Sequence, residues 1–274
     1  YAGQLTIENG VLCVASVNNV SANGVLGNSA NSVILGKTGG LTGTLEYTGG
    51  SVSGSKPFTM ATGGTGAFQV DTAATTLTLT SLIDGGGNLS KTGPGTLKIS
   101  SPGNTYGGTT TISAGTLEYG VNDPLPAGVL TVNGGTLSIL TFNDTVGAVT
   151  LTAGSITGST GRLTGSSYTV NGVEATSISA IMSGSGSMTK AGAGTLTISG
   201  NSSDYTGATA LQEGAIQIGV ANGLPTTTVL TIGAGGTSGK LILGTASAAF
   251  NQTVGGLQVS GSGTSNAVVG GCAS

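Results

Sequence analysis

Histidine is absent from this sequence, and ten carboxylates are its whole stock of acidic side chains, so the chemistry open to it is narrow. Without histidine, the usual base of a nucleophilic triad and the usual nitrogen ligand of zinc are both missing. The acids are Glu8, Glu46, Asp71, Asp84, Glu118, Asp123, Asp144, Glu174, Asp204 and Glu213. Glycoside cleavage would need two of them held about 5 to 9.5 Å apart. They are scattered, and only Glu118 and Glu213 fall in a recurring motif, at different places in it. The sequence therefore points away from an enzyme and calls for no cofactor and no metal.

The remaining candidates are hydroxyls and thiols. Thr-x-Thr pairs at Thr42/Thr44, Thr76/Thr78/Thr80, Thr109/Thr111, Thr150/Thr152 and Thr195/Thr197 suggest a flat ladder of the kind that meets ice. Threonine is equally a good residue for any solvent-facing pleat. The spacings are irregular and the outward neighbour of Thr96 is Lys98, so no continuous ladder is expected. The two thiols, Cys13 and Cys272, lie near opposite ends of the chain.

The elements that must position these residues are strands. Three strings recur twenty residues apart, Gly95-Thr96-Leu97-Lys98-Ile99, Gly115-Thr116-Leu117-Glu118-Tyr119 and Gly135-Thr136-Leu137-Ser138-Ile139. Their apolar residues alternate with polar ones, so Leu97/Ile99, Leu117/Tyr119 and Leu137/Ile139 share one face and Thr96/Lys98, Thr116/Glu118 and Thr136/Ser138 the other. The interval predicts an all-β fold, a parallel β-solenoid of about twenty residues per coil.

A second copy of the stretch lies 99 residues downstream: Lys91, Gly93, Gly95, Leu97 and Tyr106 match Lys190, Gly192, Gly194, Leu196 and Tyr205. The frame opens part-way through a repeat at Tyr1, as a processed or excerpted segment would. It divides one solenoid, 1–274, into repeat units 1–105, 106–204 and an incomplete 205–274, with some 12 to 13 coils stacked at about 4.8 Å.

Composition agrees with an ordered chain. Charged residues are 6% of the 274, against roughly 25% in ordinary soluble domains. Hydrophobic residues reach 37% and the net charge is −3, the opposite of the signature of disorder. Seven basic residues cannot form a phosphate-tracking stripe, so nucleic acid is excluded as a partner. No apolar run approaches the ~20 residues of a membrane helix.

The blocks Leu89-Ser90-Lys91-Thr92-Gly93-Pro94-Gly95-Thr96-Leu97-Lys98-Ile99-Ser100, Asn104-Thr105-Tyr106-Gly107-Gly108-Thr109-Thr110 and Ala114-Gly115-Thr116-Leu117 resemble the strand repeat of bacterial autotransporter passenger domains. Met188 to Gly219 is a second copy, with Asp204 where the family usually has Thr. The resemblance implies a right-handed parallel β-helix, export to the bacterial cell surface or medium, and a role in display or adhesion. It carries over no catalytic residue, and the outer-membrane barrel that anchors Gram-negative relatives is expected to have been removed, to lie outside this segment, or never to have existed.

In the repeat frame Cys13 aligns with the outward Glu118 and Gln217 and should be exposed. A long rod keeps Cys13 and Cys272 far beyond the roughly 4.4 to 6.8 Å Cα separation of a disulfide. They would bond between chains stacked end to end, or remain two unpaired thiols. Tyr1, Tyr106 and Tyr205 are expected to pack at coil corners, and Lys91 and Lys190 to sit on the surface and discourage sheet-to-sheet aggregation.

Two functions follow as expectations. One is a structural subunit stacking head to tail into an extracellular filament. The other is an adhesin-type passenger that binds a glycan or a matrix protein through side faces or turn insertions, with Val20 to Phe58 and Thr157 to Glu174 as the candidate loops.

Overall fold

The computed structural model describes residues 2–200 and 203–271. They form two compact units, Tyr1–Ser138 and Ile139–Ser274, a division different from that of the sequence repeats. Both are built from short parallel strands that recur once per coil of about 21 residues.

In the first unit a coil has three strands: Phe58–Met60, Thr65–Val70 and Thr76–Leu79, then Ile83–Gly85, Asn88–Thr92 and Thr96–Ile99 one coil on. Gly10–Val14, Thr42–Tyr47, Thr65–Val70, Asn88–Thr92, Thr110–Ile112 and Leu130–Leu140 pair in parallel, in that order. In the second unit the same role falls to Ala148–Gly158, Ser167–Val170, Met188–Lys190, Thr209–Leu211, Val229–Ile232 and Gly256–Val259. Each column makes five steps, about ten turns in all. Leu12 pairs with Leu45 and Leu241 with Val268.

The alternation in the sequence is what the register preserves. Leu97 pairs with Leu77 on one side and Leu117 on the other, and Leu117 with Leu137. These leucines are fully buried while their polar neighbours are partly exposed. Stacking like on like keeps one apolar column continuous, and each leucine so buried contributes about 1.5 to 3 kcal/mol. At the corners the chain must turn within two or three residues. Gly115 adopts φ +60°, and a Cβ there would collide with the carbonyl oxygens of Gly93 and Gly95 in the preceding coil. Among the described residues no helix is long and apolar enough to cross a membrane.

Candidate functional site

The repeat motif places a lysine inside the wall. Lys91 pairs in register with Phe68 and Ile112, and Lys190 with Val170 and Leu211, so both occupy apolar columns and both are fully buried. This corrects the expectation of a surface lysine that discourages aggregation. The lysine shares strand parity with the buried Leu89 in one copy and Met188 in the other, a signal already present in the sequence.

Why a cation sits there is explained by the corner that follows. The turns at Gly93 and Gly192, at φ +70° and +76°, direct several carbonyl oxygens inward, and buried acceptors need donors. Lys91 Nζ donates to Thr92 O at 2.7 Å, Gly93 O at 2.8 Å and, in the next coil, Ala114 O at 3.2 Å. Lys190 Nζ repeats the arrangement with Ala191 O at 2.9 Å, Gly192 O at 2.6 Å and Glu213 O at 3.2 Å. The aliphatic stem fills the column while the ammonium joins two coils. Burial pushes the Lys91 pKa down to about 8 and lowers that of Lys190, which the Glu213 carboxylate partly opposes.

The other motif residues are packing residues. Leu97 and Leu196 are buried in the core. A Cβ at Gly95 would stand 2.5 Å from Thr72 O, and one at Gly194 would run into Glu174 O. Tyr106 and Tyr205 are buried, their hydroxyls 2.5 and 2.6 Å from Thr110 and Thr209 Oγ1. Burial pushes the Tyr205 phenol well above its ordinary range. Tyr1 and Cys272 lie outside the described residues.

The outward faces carry short polar ladders. Thr76, Thr96, Thr116 and Thr136 stack in register, a threonine column that follows the twenty-residue interval of the strings rather than the Thr-x-Thr pairs. It is one residue wide. The adjacent column reads Thr78, Lys98, Glu118 and Ser138, with Lys98 and Glu118 paired at 2.9 Å.

Folding brings two of the scattered carboxylates together. Gln69 Nε2 donates to Glu46 Oε1 at 3.2 Å and Asp71 Oδ1 at 2.8 Å. Hydrogen bonding with Asp71, desolvation and repulsion between the carboxylates push the Glu46 carboxyl up, and Cys13, its register partner, opposes the shift. Elsewhere Asp84 accepts from Thr59 Oγ1 at 2.5 Å, and Asp204 binds Ser183 and Arg162. The Glu46 and Asp71 pair lies on an outward face, and no pocket opens among the described residues. Cys13 is exposed, its Sγ 3.9 Å from Thr48 Oγ1.

One segment leaves the coil path. Between the strands Gly10–Val14 and Val33–Leu35, residues 15–32 contain no strand. Their fold is set by Asn18, whose Nδ2 donates to Asn19 O at 3.1 Å, Ala22 O at 3.0 Å and Gly27 O at 2.8 Å, while Oδ1 accepts from Leu26 N at 3.0 Å. Leu26 is buried beneath the loop. Lys56, itself buried, donates to Ser29 O at 2.6 Å, and burial lowers its pKa. Of the expected insertion Val20 to Phe58, only the part up to Ser32 is one. The second candidate, Thr157 to Glu174, is regular coil: Arg162–Thr164 and Ser167–Val170 are ladder strands.

The chain matches the Passenger-associated-transport-repeat family over residues 89–118 and 188–218, the two segments that contain Lys91 and Lys190. It is 32% identical over 224 residues to Adhesin BmaC autotransporter of Brucella suis biovar 1 (strain 1330), an alignment that takes in 79% of this chain and 6% of that protein. The chain thus spans a small fraction of that relative's length. No solved structure matches it. With both matched segments folded as lysine-closed parallel coils, the chain carries two copies of the passenger-associated transport repeat and is distantly homologous to an autotransporter adhesin.

Proposed function

We propose that this chain is part of an exported bacterial passenger, on the cell surface or released from it, that acts as an adhesin. The observation that carries the reading is the homology to an adhesin over four fifths of the chain. The structure agrees with it in kind. The polar groups that depart from the core are spread over outward faces and one folded loop, as suits a binding surface, whereas a hydrolase would gather them in a cleft. The strands provide a stiff support, and the contact is made by their side faces or by residues 15–32. The partner is a glycan or a matrix protein.

Beads coated with the chain test this directly. They are expected to attach to host-cell monolayers or to immobilised glycans and matrix proteins more than beads bearing an unrelated β-solenoid. Failure to attach to any of these surfaces would sink the adhesin reading. Non-reducing electrophoresis of the same preparation addresses end-to-end association through Cys13 and Cys272: a ladder of disulfide multimers would support the filament as a second role.

A further inference from the structure

The loop at residues 15–32 has a chemistry distinct from the rest of the surface. From Asn9 to Gly36 there is no charged side chain and no aromatic one. The exposed residues at its tip are Asn19, Val20, Ser21, Asn23, Val25 and Asn28. Val20 and Val25 remain 41% and 49% accessible, so the loop exposes amides, a hydroxyl and two apolar side chains.

The loop is also tied by hydrogen bonds to itself and to the neighbouring coil. Besides the Asn18 clamp, Asn19 Oδ1 accepts from Ser55 N at 3.0 Å, Val20 N donates to Ser55 Oγ at 3.3 Å, and Asn28 Nδ2 donates to Asn23 Oδ1 at 3.1 Å. Ser21 stands at φ +58°, a left-handed conformation that non-glycine residues adopt at a cost and that clusters at ligand clamps. Structureless connections longer than about 12 to 15 residues inside a compact fold are commonly binding loops.

We propose that this loop is a contact surface for neutral carbohydrate, an inference that rests on the adhesin reading above. Amide and hydroxyl groups match the paired donors and acceptors of sugar hydroxyls, and the valines can lie against the C–H face of a pyranose ring. An anionic polymer such as heparin would find no exposed, unpaired cation here, since Lys56 is buried against Ser29 O and Lys37 beyond the loop is paired with Glu8 at 2.6 Å. A protein partner would be expected to engage Trp, Tyr or Arg anchors, and the loop has none. Because the loop is already ordered, binding loses little to conformational entropy.

The test uses the whole chain against immobilised neutral oligosaccharides ending in glucose, galactose or N-acetylglucosamine, with heparin and sialylated oligosaccharides alongside. Binding to at least one neutral sugar is expected, insensitive to salt. Asn23→Asp and Val25→Ser, made separately, should each weaken it about tenfold with an unchanged melting temperature. Asn18→Ala, which releases the loop, should abolish it. Preference for the anionic probes, no binding to any neutral sugar, or full binding by both surface variants would overturn the proposal. If beads still attach to cells while the sugars are ignored, the adhesin reading stands and the loop assignment falls. If nothing is bound at all, the adhesin reading itself falls.

Discussion

A lysine inside an apolar column is costly unless its ammonium is fully bonded. Lys91 meets that condition with three carbonyl acceptors from two coils, yet burial still lowers its pKa from 10.5 to about 8. The sign of the pH dependence follows. Between about 8 and 10.5 the unfolded chain holds a proton that the folded chain has released, so stability should rise with pH across that window, by at most about 3 kcal/mol. Denaturant unfolding at pH 8 and pH 10 should register the rise, and Lys91→Met should reduce it, leaving the part that Lys190 and Lys56, shifted in the same direction, contribute. Lys91→Ala leaves a void between Phe68 and Ile112 and orphans the corner carbonyls, a loss of about 2 to 5 kcal/mol at pH 7. Gly115→Ala should cost more than about 2 kcal/mol in the same assay, since a Cβ there meets two carbonyl oxygens of the coil below. A melting temperature equal to the parent's would contradict that account of the corner.

At the scale of elements, the repeating strand unit is interchangeable to the extent that its register is kept. Leu77, Leu97, Leu117 and Leu137 pair at intervals of twenty. Deleting residues 97–116 should therefore bring Leu117 onto Leu77 and leave a shorter, folded chain. Deleting 97–115 instead shifts the following strand by one residue and turns its leucines to solvent. Circular dichroism and cooperative melting should survive the first deletion and be lost in the second. Residues 15–32 behave differently: their contacts run to Ser55, Lys56 and Thr59, so the loop is anchored to its neighbouring coil and should be removable without disturbing the core column.

For the whole molecule, the sparse charge sets the response to solution conditions. Seven basic and ten acidic residues are spread over 274, and the ion pairs among the described residues, Glu8–Lys37, Lys98–Glu118 and Arg162–Asp204, are all at least partly exposed. Exposed pairs each contribute roughly 0 to 1 kcal/mol and are screened by salt. Stability therefore rests on burial and on backbone ladders, and the melting temperature should move by less than about 3 °C between low salt and about 1 M sodium chloride. A larger drop would mean that electrostatic interactions hold the fold together.

The sequence by itself determined the architecture, because a period of two sorts side chains between two faces and a period of twenty stacks each face on itself. Leu97, Leu117 and Leu137 needed nothing more. It also contains the parity that puts Lys91 beside Leu89 in the core, and strand parity outweighs the charge that would otherwise favour the surface. What only the tertiary structure decided concerns polar groups whose partners lie one coil away. That Ala114 O would need the Lys91 ammonium, that Glu46 and Asp71 would share Gln69, and that residues 15–32 would fold around Asn18 while Thr157 to Glu174 stayed in the ladder all depend on distances across the stack. Hydrogen bonds are directional and short-ranged, so spacing in the chain can suggest which residues are neighbours but cannot say which donor reaches which acceptor.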